Sequence, residues 1–141
     1  MKPIIRNVFA VIVGLIVGGL INGGLITIGG SIIPPPEGTD VTTVEGLKKA
    51  LPLFQPKHYI FPFLAHAVGS LSGAYIAARL AGSRRFLLAI IVSVIFFFGG
   101  LFYVVSLPSP IWFSILDLVG AYLPMGWLGA KLAERKTALV N

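Results

Sequence analysis

The sequence predicts an all-α integral membrane protein with four transmembrane helices. The chain of 141 residues is 56% hydrophobic and only 11% charged, whereas soluble domains carry about 25% charged residues. Four apolar runs cover roughly residues 4–33, 59–80, 86–105 and 111–133, and each has at least the ~20 residues that cross the hydrocarbon core. Backbone groups in lipid must be satisfied within their own segment, so each run is predicted to be a helix. We expect a single domain over residues 1–141.

The first run is predicted to be a retained span and not a signal peptide. Lys2 and Arg6 precede it, as basic residues precede a signal sequence, but the run is longer than the apolar core of such a sequence. A small-residue cleavage site is also missing before Pro34. Residues 34–36 are all proline, and such a stiff, extended segment ends a helix.

The polar segment between the first two runs, residues 34–57, is predicted to contain a short amphipathic helix. Thr42 and Glu45 have the spacing of a capping box, and Pro52 ends the helix after Leu51. Its apolar residues share one face: Val44, Leu47 and Leu51. Such a helix either lies on the membrane surface or packs on the bundle, and the sequence favours neither.

Basic residues predict the orientation of the chain. Eight of them fall at one set of run ends: Lys2, Arg6, Arg79, Arg84, Arg85, Lys131, Arg135 and Lys136. Three fall at the other set: Lys48, Lys49 and Lys57. The positive-inside rule then predicts that both termini are cytoplasmic (N-in/C-in), with segment 34–57 outside.

The second and fourth runs are similar to each other at an offset of 52 residues. At this offset Arg79 aligns with Lys131, and Tyr75 with Trp127. Both runs cross the membrane in the same direction, so a true duplication would give two parallel hairpin repeats. Apolar spans with basic ends also align through composition alone, and both explanations stay open.

Small residues recur at every fourth position in three of the runs. Such stripes let helix backbones approach closely in lipid. They predict that the first, second and fourth spans form the tight centre of the bundle, with the third facing lipid; homodimerisation is the alternative use. The helix-packing residues are Gly14, Gly18, Ala65, Gly69, Gly73, Ala77, Gly126 and Ala130.

Three polar side chains are candidates for a functional cluster. Asp117 is the one carboxylate inside a predicted span, and His66 the one histidine there. Each lies about seven residues from the outer end of its run, or ~10 Å deep at 1.5 Å per residue, and Asn22 lies at a similar depth. Intramembrane ionisable residues are costly and face the bundle interior. The cluster is predicted to be either a proton-exchanging site or a hydrogen-bonded clasp between helices.

Composition excludes several kinds of chemistry. The chain has no cysteine, so disulfides, thiolate metal sites and thiol redox reactions are excluded. One histidine and one carboxylate are too few ligands for a metal site, and we expect no metal and no cofactor. The net charge of +6 is explained by basic residues that meet lipid head groups, so the bilayer and not nucleic acid is the expected partner.

Three stretches of the chain resemble an uncharacterised family of small four-span bacterial inner-membrane proteins. They are Ile33–Asp40, Pro56–Ala67 and Leu107–Phe113. The resemblance implies a multi-pass protein of the bacterial inner membrane with this topology. It supplies no activity and no site.

Function is less constrained than topology. With many small-residue stripes and few reactive side chains, the leading expectation is a non-enzymatic structural or accessory subunit, either of a homo-oligomer or of a larger membrane complex. The alternative is a small proton-linked transporter or channel that uses Asn22, His66 and Asp117. A membrane enzyme acting on lipid is the third possibility, since His66 and Asp117 are the one pair available for catalysis.

Overall fold

A computed structural model describes the backbone of residues 2–138 and the side chains of residues 2–135. Met1 and residues 139–141 of the expected domain, and the side chain of Lys136, lie outside the described residues. The described chain is all-helical, and four of its helical segments are long and apolar enough to cross a membrane: Pro3–Ile32, Pro56–Leu80, Arg85–Ser106 and Ile111–Arg135. The chain is therefore a multi-pass membrane protein in its architecture.

Residues 2–138 form six α-helices: α1 (Pro3–Ile32), α2 (Val44–Ala50), α3 (Ile60–Leu80), α4 (Arg85–Ser106), α5 (Ile111–Gly120) and α6 (Leu123–Ala138). Two 3₁₀ turns, Leu51–Leu53 and Pro56–Tyr59, join α2 to α3. We call the end of the bundle that carries residues 33–59 and 107–110 the loop end. The opposite end carries the start of α1 and the turn between α3 and α4, and we call it the terminal end.

The fourth apolar run is interrupted, which the sequence expectation of one continuous span did not include. Residues Ala121 and Tyr122 separate α5 from α6. Pro124 explains the break, because it has no N–H to donate to the carbonyl of Gly120 and its ring collides with that carbonyl in a regular helix. The chain restarts a helix in which proline occupies an early position, where no hydrogen bond is lost.

The bundle is centred on α3, which packs against α1, α4 and α6. The expectation that the first, second and fourth spans form the centre is wrong in one respect: α1 packs on α3 and α4 and makes no extensive contact with α6. The third span is also more central than expected, since Ala89, Val92 and Ser93 of α4 are fully buried. Several runs carry small-residue stripes, and their spacing alone does not specify which stripes meet.

Two glycine pairs bring α1 and α3 into backbone contact. A Cβ atom added at Gly14 would lie 2.6 Å from the carbonyl oxygen of Gly73, and one at Gly18 would lie 2.6 Å from that of Gly69. Close packing of this kind replaces the hydrophobic driving force that helices lack in lipid. All the residues named for helix packing are buried: Gly14, Gly18, Ala65, Gly69, Gly73, Ala77, Gly126 and Ala130.

The loop helix α2 begins one residue later than its sequence predicts. Thr43, and not Thr42, is the N-cap, and its side chain accepts a hydrogen bond from the amide of Gly46. Thr42 instead donates from both its amide and its hydroxyl to Asp40 Oδ1, at 2.8 and 2.6 Å. A buried cluster with Tyr59 and Phe113 includes Leu51 and, partly buried, Leu47, so the helix packs on the bundle.

Candidate functional site

A histidine and a carboxylate meet inside the bundle. His66 of α3 and Asp117 of α5 face each other, with Nδ1 of the imidazole 2.8 Å from Oδ1 and 2.9 Å from Oδ2 of the carboxylate. Asp117 is only 2% exposed. Buried carboxylates are costly unless they are paired and hydrogen-bonded, and this contact supplies such a partner. The contact also joins the second apolar run to the fourth.

A third member of the site, Tyr122, was not found from the sequence. Its hydroxyl donates to Oδ2 of Asp117 at 3.0 Å, and its ring stacks on that of His66 at a centroid distance of 5.6 Å. Tyr122 follows Asp117 by five positions, which in a regular helix would turn its side chain by about 140° away from that of Asp117. The two side chains would then point to different faces. The break between α5 and α6 removes that regularity, and Pro124 was the one sequence signal for it.

The geometry fixes the roles of the two imidazole nitrogens. A carboxylate accepts hydrogen bonds, so Nδ1 is the donor to Asp117 and Nε2 is the atom left to accept or bind a proton. Nε2 forms no hydrogen bond with any described residue. Within residues 2–135 the one buried side-chain polar atom without a partner is the hydroxyl oxygen of Ser70, so Nε2 is not sealed inside the protein. His66 itself lines the adjoining cavity.

That cavity lies at the loop end and has a volume of about 380 Å³. Asn22, His66 and Asp117 all line it, so the structure brings the three sequence candidates to one space. Asn22 forms no hydrogen bond with either of the other two, and it stands on the wall contributed by α1. The other walls come from α3, α4, α5 and the segment between α1 and α3.

The cavity walls are rich in apolar and aromatic side chains. Lysine, arginine and glutamate are absent from the described residues that line it, so Asp117 is the carboxylate of the cavity. Its further titratable groups are the imidazole of His58 and the phenols of Tyr59 and Tyr103. Residues 2–135 do not gather three potential metal ligands at any one place. The site therefore offers one hydrogen-bonded acid–base pair inside a largely apolar chamber.

The chain matches no known protein family, no curated protein and no solved structure. The resemblance of its three sequence stretches to small bacterial membrane proteins gains no support from these comparisons. Functional inference rests on the chemistry of the site.

Proposed function

We propose that this chain is a small proton-linked transporter whose loop-end cavity takes up a solute while His66 and Asp117 gain or lose a proton. The observation that carries the proposal is the contact of 2.8 Å between these side chains on the wall of a cavity of about 380 Å³. A histidine exchanges protons near neutral pH. Intramembrane ionisable pairs that face a cavity are the usual elements of proton relays.

A purely structural clasp accounts for less of the geometry. A clasp would join the three spans on which the candidates lie, yet Asn22 is not hydrogen-bonded to the pair, so α1 is left out. A clasp also needs no cavity beside it and no free ring nitrogen. The open Nε2 of His66 and the chamber that it adjoins are both explained by proton exchange.

The orientation that supports this function is the one that the basic residues predict. We propose a bacterial inner-membrane location with both termini cytoplasmic, so that the loop end and its cavity face outward. The offset of 52 residues between the second and fourth runs is compatible with two parallel repeats, and the break at Ala121–Tyr122 would then be specific to the second copy.

A pH-jump experiment tests the proposal without knowledge of the solute. Proteoliposomes on a solid-supported electrode are switched from mildly alkaline to mildly acidic buffer, and the transient charge movement is recorded. We expect a current from the wild-type protein and its loss in Asp117→Asn. Ser114→Ala is the matched control, because Ser114 lies one turn away on α5 and does not line the cavity. A current that persists in folded Asp117→Asn protein refutes proton exchange at this pair.

A second candidate function, a non-enzymatic accessory or oligomer-forming subunit, is favoured by a different surface. Three glycines of α1 that do not line the cavity face open space, since a Cβ atom added there would meet nothing within 4 Å: Gly19, Gly23 and Gly24. Exposed small residues of this kind suit contact with a further helix. Native mass spectrometry of the protein from its own membranes separates a self-complex from a complex with another subunit, and a strictly monomeric wild-type protein argues against this candidate.

A further inference from the structure

We propose that the solute is a lipophilic organic cation that enters the cavity sideways from the bilayer, between α1 and α4, and exchanges with a proton of His66 and Asp117. This inference rests on the proposed transporter function and specifies its substrate class. It follows from the shape of the cavity wall, from the charges around it and from its aromatic lining.

The proposed slot lies between α1 and α4, toward the loop end. Nearer the terminal end the two helices are held together, because Leu88 packs in a buried cluster with Ala10 and the ring of Phe96 reaches Gly18. Beyond Asn22 both helices instead line the cavity. The margins of the slot are open, with Ile26 of α1 42% exposed and Tyr103 of α4 55% exposed. Both positions lie within the helices that are long and apolar enough to cross a membrane, so a slot between them would open to the lipid.

The charges of the cavity select a cation. When His66 is neutral and Asp117 ionised, the pair carries one negative charge, and no lysine or arginine among the lining residues balances it. The nearest group is the phenol of Tyr122, in the break between α5 and α6, which is hydrogen-bonded to Asp117. Asn22 on α1, the imidazole of His58, and the phenols of Tyr59 and of Tyr103 on α4 line the same cavity. None of these groups carries a permanent charge. An anion would add an unpaired charge in a low-dielectric space, whereas a cation neutralises the one already there.

The cavity walls suit an organic body around that positive charge. Aromatic rings come from four side chains, Phe54, Phe61, Tyr103 and Phe113, and ring faces attract cations. The volume of about 380 Å³ is near the small end of the ~300–1,000 Å³ typical of organic-ligand pockets. A hydrated inorganic ion would gain nothing from these apolar walls. A small aromatic cation uses both the walls and the charge.

Proton and cation then compete for the same negative charge. With a proton on Nε2, the imidazolium and the carboxylate together are neutral, and the site has no charge to offer a cation. Loss of that proton to water at the cavity mouth leaves the charge of the carboxylate for the incoming cation. One proton leaves for each monovalent cation bound, and no covalent bond forms or breaks. The binding affinity therefore rises with pH.

The test uses radiolabelled 1-methyl-4-phenylpyridinium and the full-length protein in lipid nanodiscs. We expect wild-type binding to weaken by about tenfold or more between mildly alkaline and mildly acidic buffer, since a lost charge contact of ~1.4 kcal/mol is tenfold in affinity. Asp117→Asn should weaken alkaline binding to a similar extent, and Ser114→Ala should not. Excess 4-methylbiphenyl, a neutral molecule of the same shape, should not displace the label.

Sideways entry has its own matched pair of variants. Gly30 lines the cavity and Gly19 does not, yet a Cβ atom at either position meets nothing within 4 Å. Gly30→Phe adds a ring to the cavity wall on the α1 side of the proposed slot and should slow association of the cation. Gly19→Phe adds the same ring to the same helix away from the cavity and should not. Equal association rates in both variants overturn entry through this slot.

The outcomes separate the substrate class from the underlying function. A wild-type protein that shows the pH-jump current but binds the cation equally at both pH values, or not at all, overturns the cation proposal and leaves proton exchange standing. Binding of the cation that rises with pH in wild-type protein, but is unchanged in folded Asp117→Asn, overturns the assignment of this carboxylate. Absence of both the current and the pH dependence rejects the two proposals together.

Discussion

Replacement of Gly14 by alanine is predicted to weaken the packing of α1 on α3. The added methyl group would lie 2.6 Å from the carbonyl oxygen of Gly73 and 3.0 Å from Cβ of Ala77. Ordinary contacts begin at 3.4 Å, so the closer of these falls short by 0.8 Å. The obstacle at Gly73 is backbone, which no rotamer change can move aside. The two helices must separate locally, and overpacking of this kind costs about 1–3 kcal/mol.

Gly19→Ala provides the control for this prediction. A Cβ atom there meets nothing within 4 Å, and alanine is the better helix former by about 0.5–1 kcal/mol in water. Steric trapping in bicelles measures the free energy of unfolding without leaving the lipid environment. We expect Gly14→Ala to lose stability and Gly19→Ala to keep or gain it. Equal stability of the two variants would show that the close approach of Gly14 and Gly73 does not hold α1 in place.

Two further predictions concern hydrogen bonds at Asp117 and in the loop. Tyr122→Phe removes the hydroxyl that donates to Asp117 and should lower the free energy of unfolding by ~0.6 kcal/mol, a typical value for such bonds in membranes. Tyr103→Phe is the control. Equal losses of stability in the two variants contradict the hydrogen bond assigned to Tyr122. Hydrogen bonds from the hydroxyl of Thr42, then from its amide, and then from the hydroxyl of Thr43 lower the pKa of Asp40. The loop is stabilised fully above the ordinary carboxyl pKa, and this stabilisation is lost as the pH falls through the lowered pKa of Asp40. The protection factor of the Thr42 amide should follow this course and be low at every pH in Asp40→Ala, which has no side-chain acceptor. Protection retained in that variant refutes the prediction.

The apolar runs predict the membrane architecture because burial in lipid leaves the chain little choice. Four such runs specify four spanning segments, and the polar segment after Pro34 lies between the first two. The ends of the helices were less predictable. The cap of α2 moved from Thr42 to Thr43 because Asp40 competes for the first threonine, and the fourth run is broken by a proline that hydropathy does not register.

The candidate site was predictable in its ingredients and not in its arrangement. Asp117 and His66 stand out because ionisable side chains are rare in apolar spans, and equal depth suggests that they can meet. That they are hydrogen-bonded, while Asn22 only shares their cavity, depends on how α3 and α5 are rotated about their axes. Tyr122 joins the pair through an irregular turn, for which helical periodicity assigns the wrong face.

The sequence by itself therefore determined that this is a four-span helical membrane protein with a rare acid–base pair in its apolar spans. It also contained the small residues that allow close packing. Only the tertiary structure decided that α3 is the central helix, and that α1 and α4 both line a cavity at the loop end beside His66. The physical reason is that hydropathy is a property of each segment, whereas helix rotation and helix pairing are decided by contacts between side chains far apart in the chain.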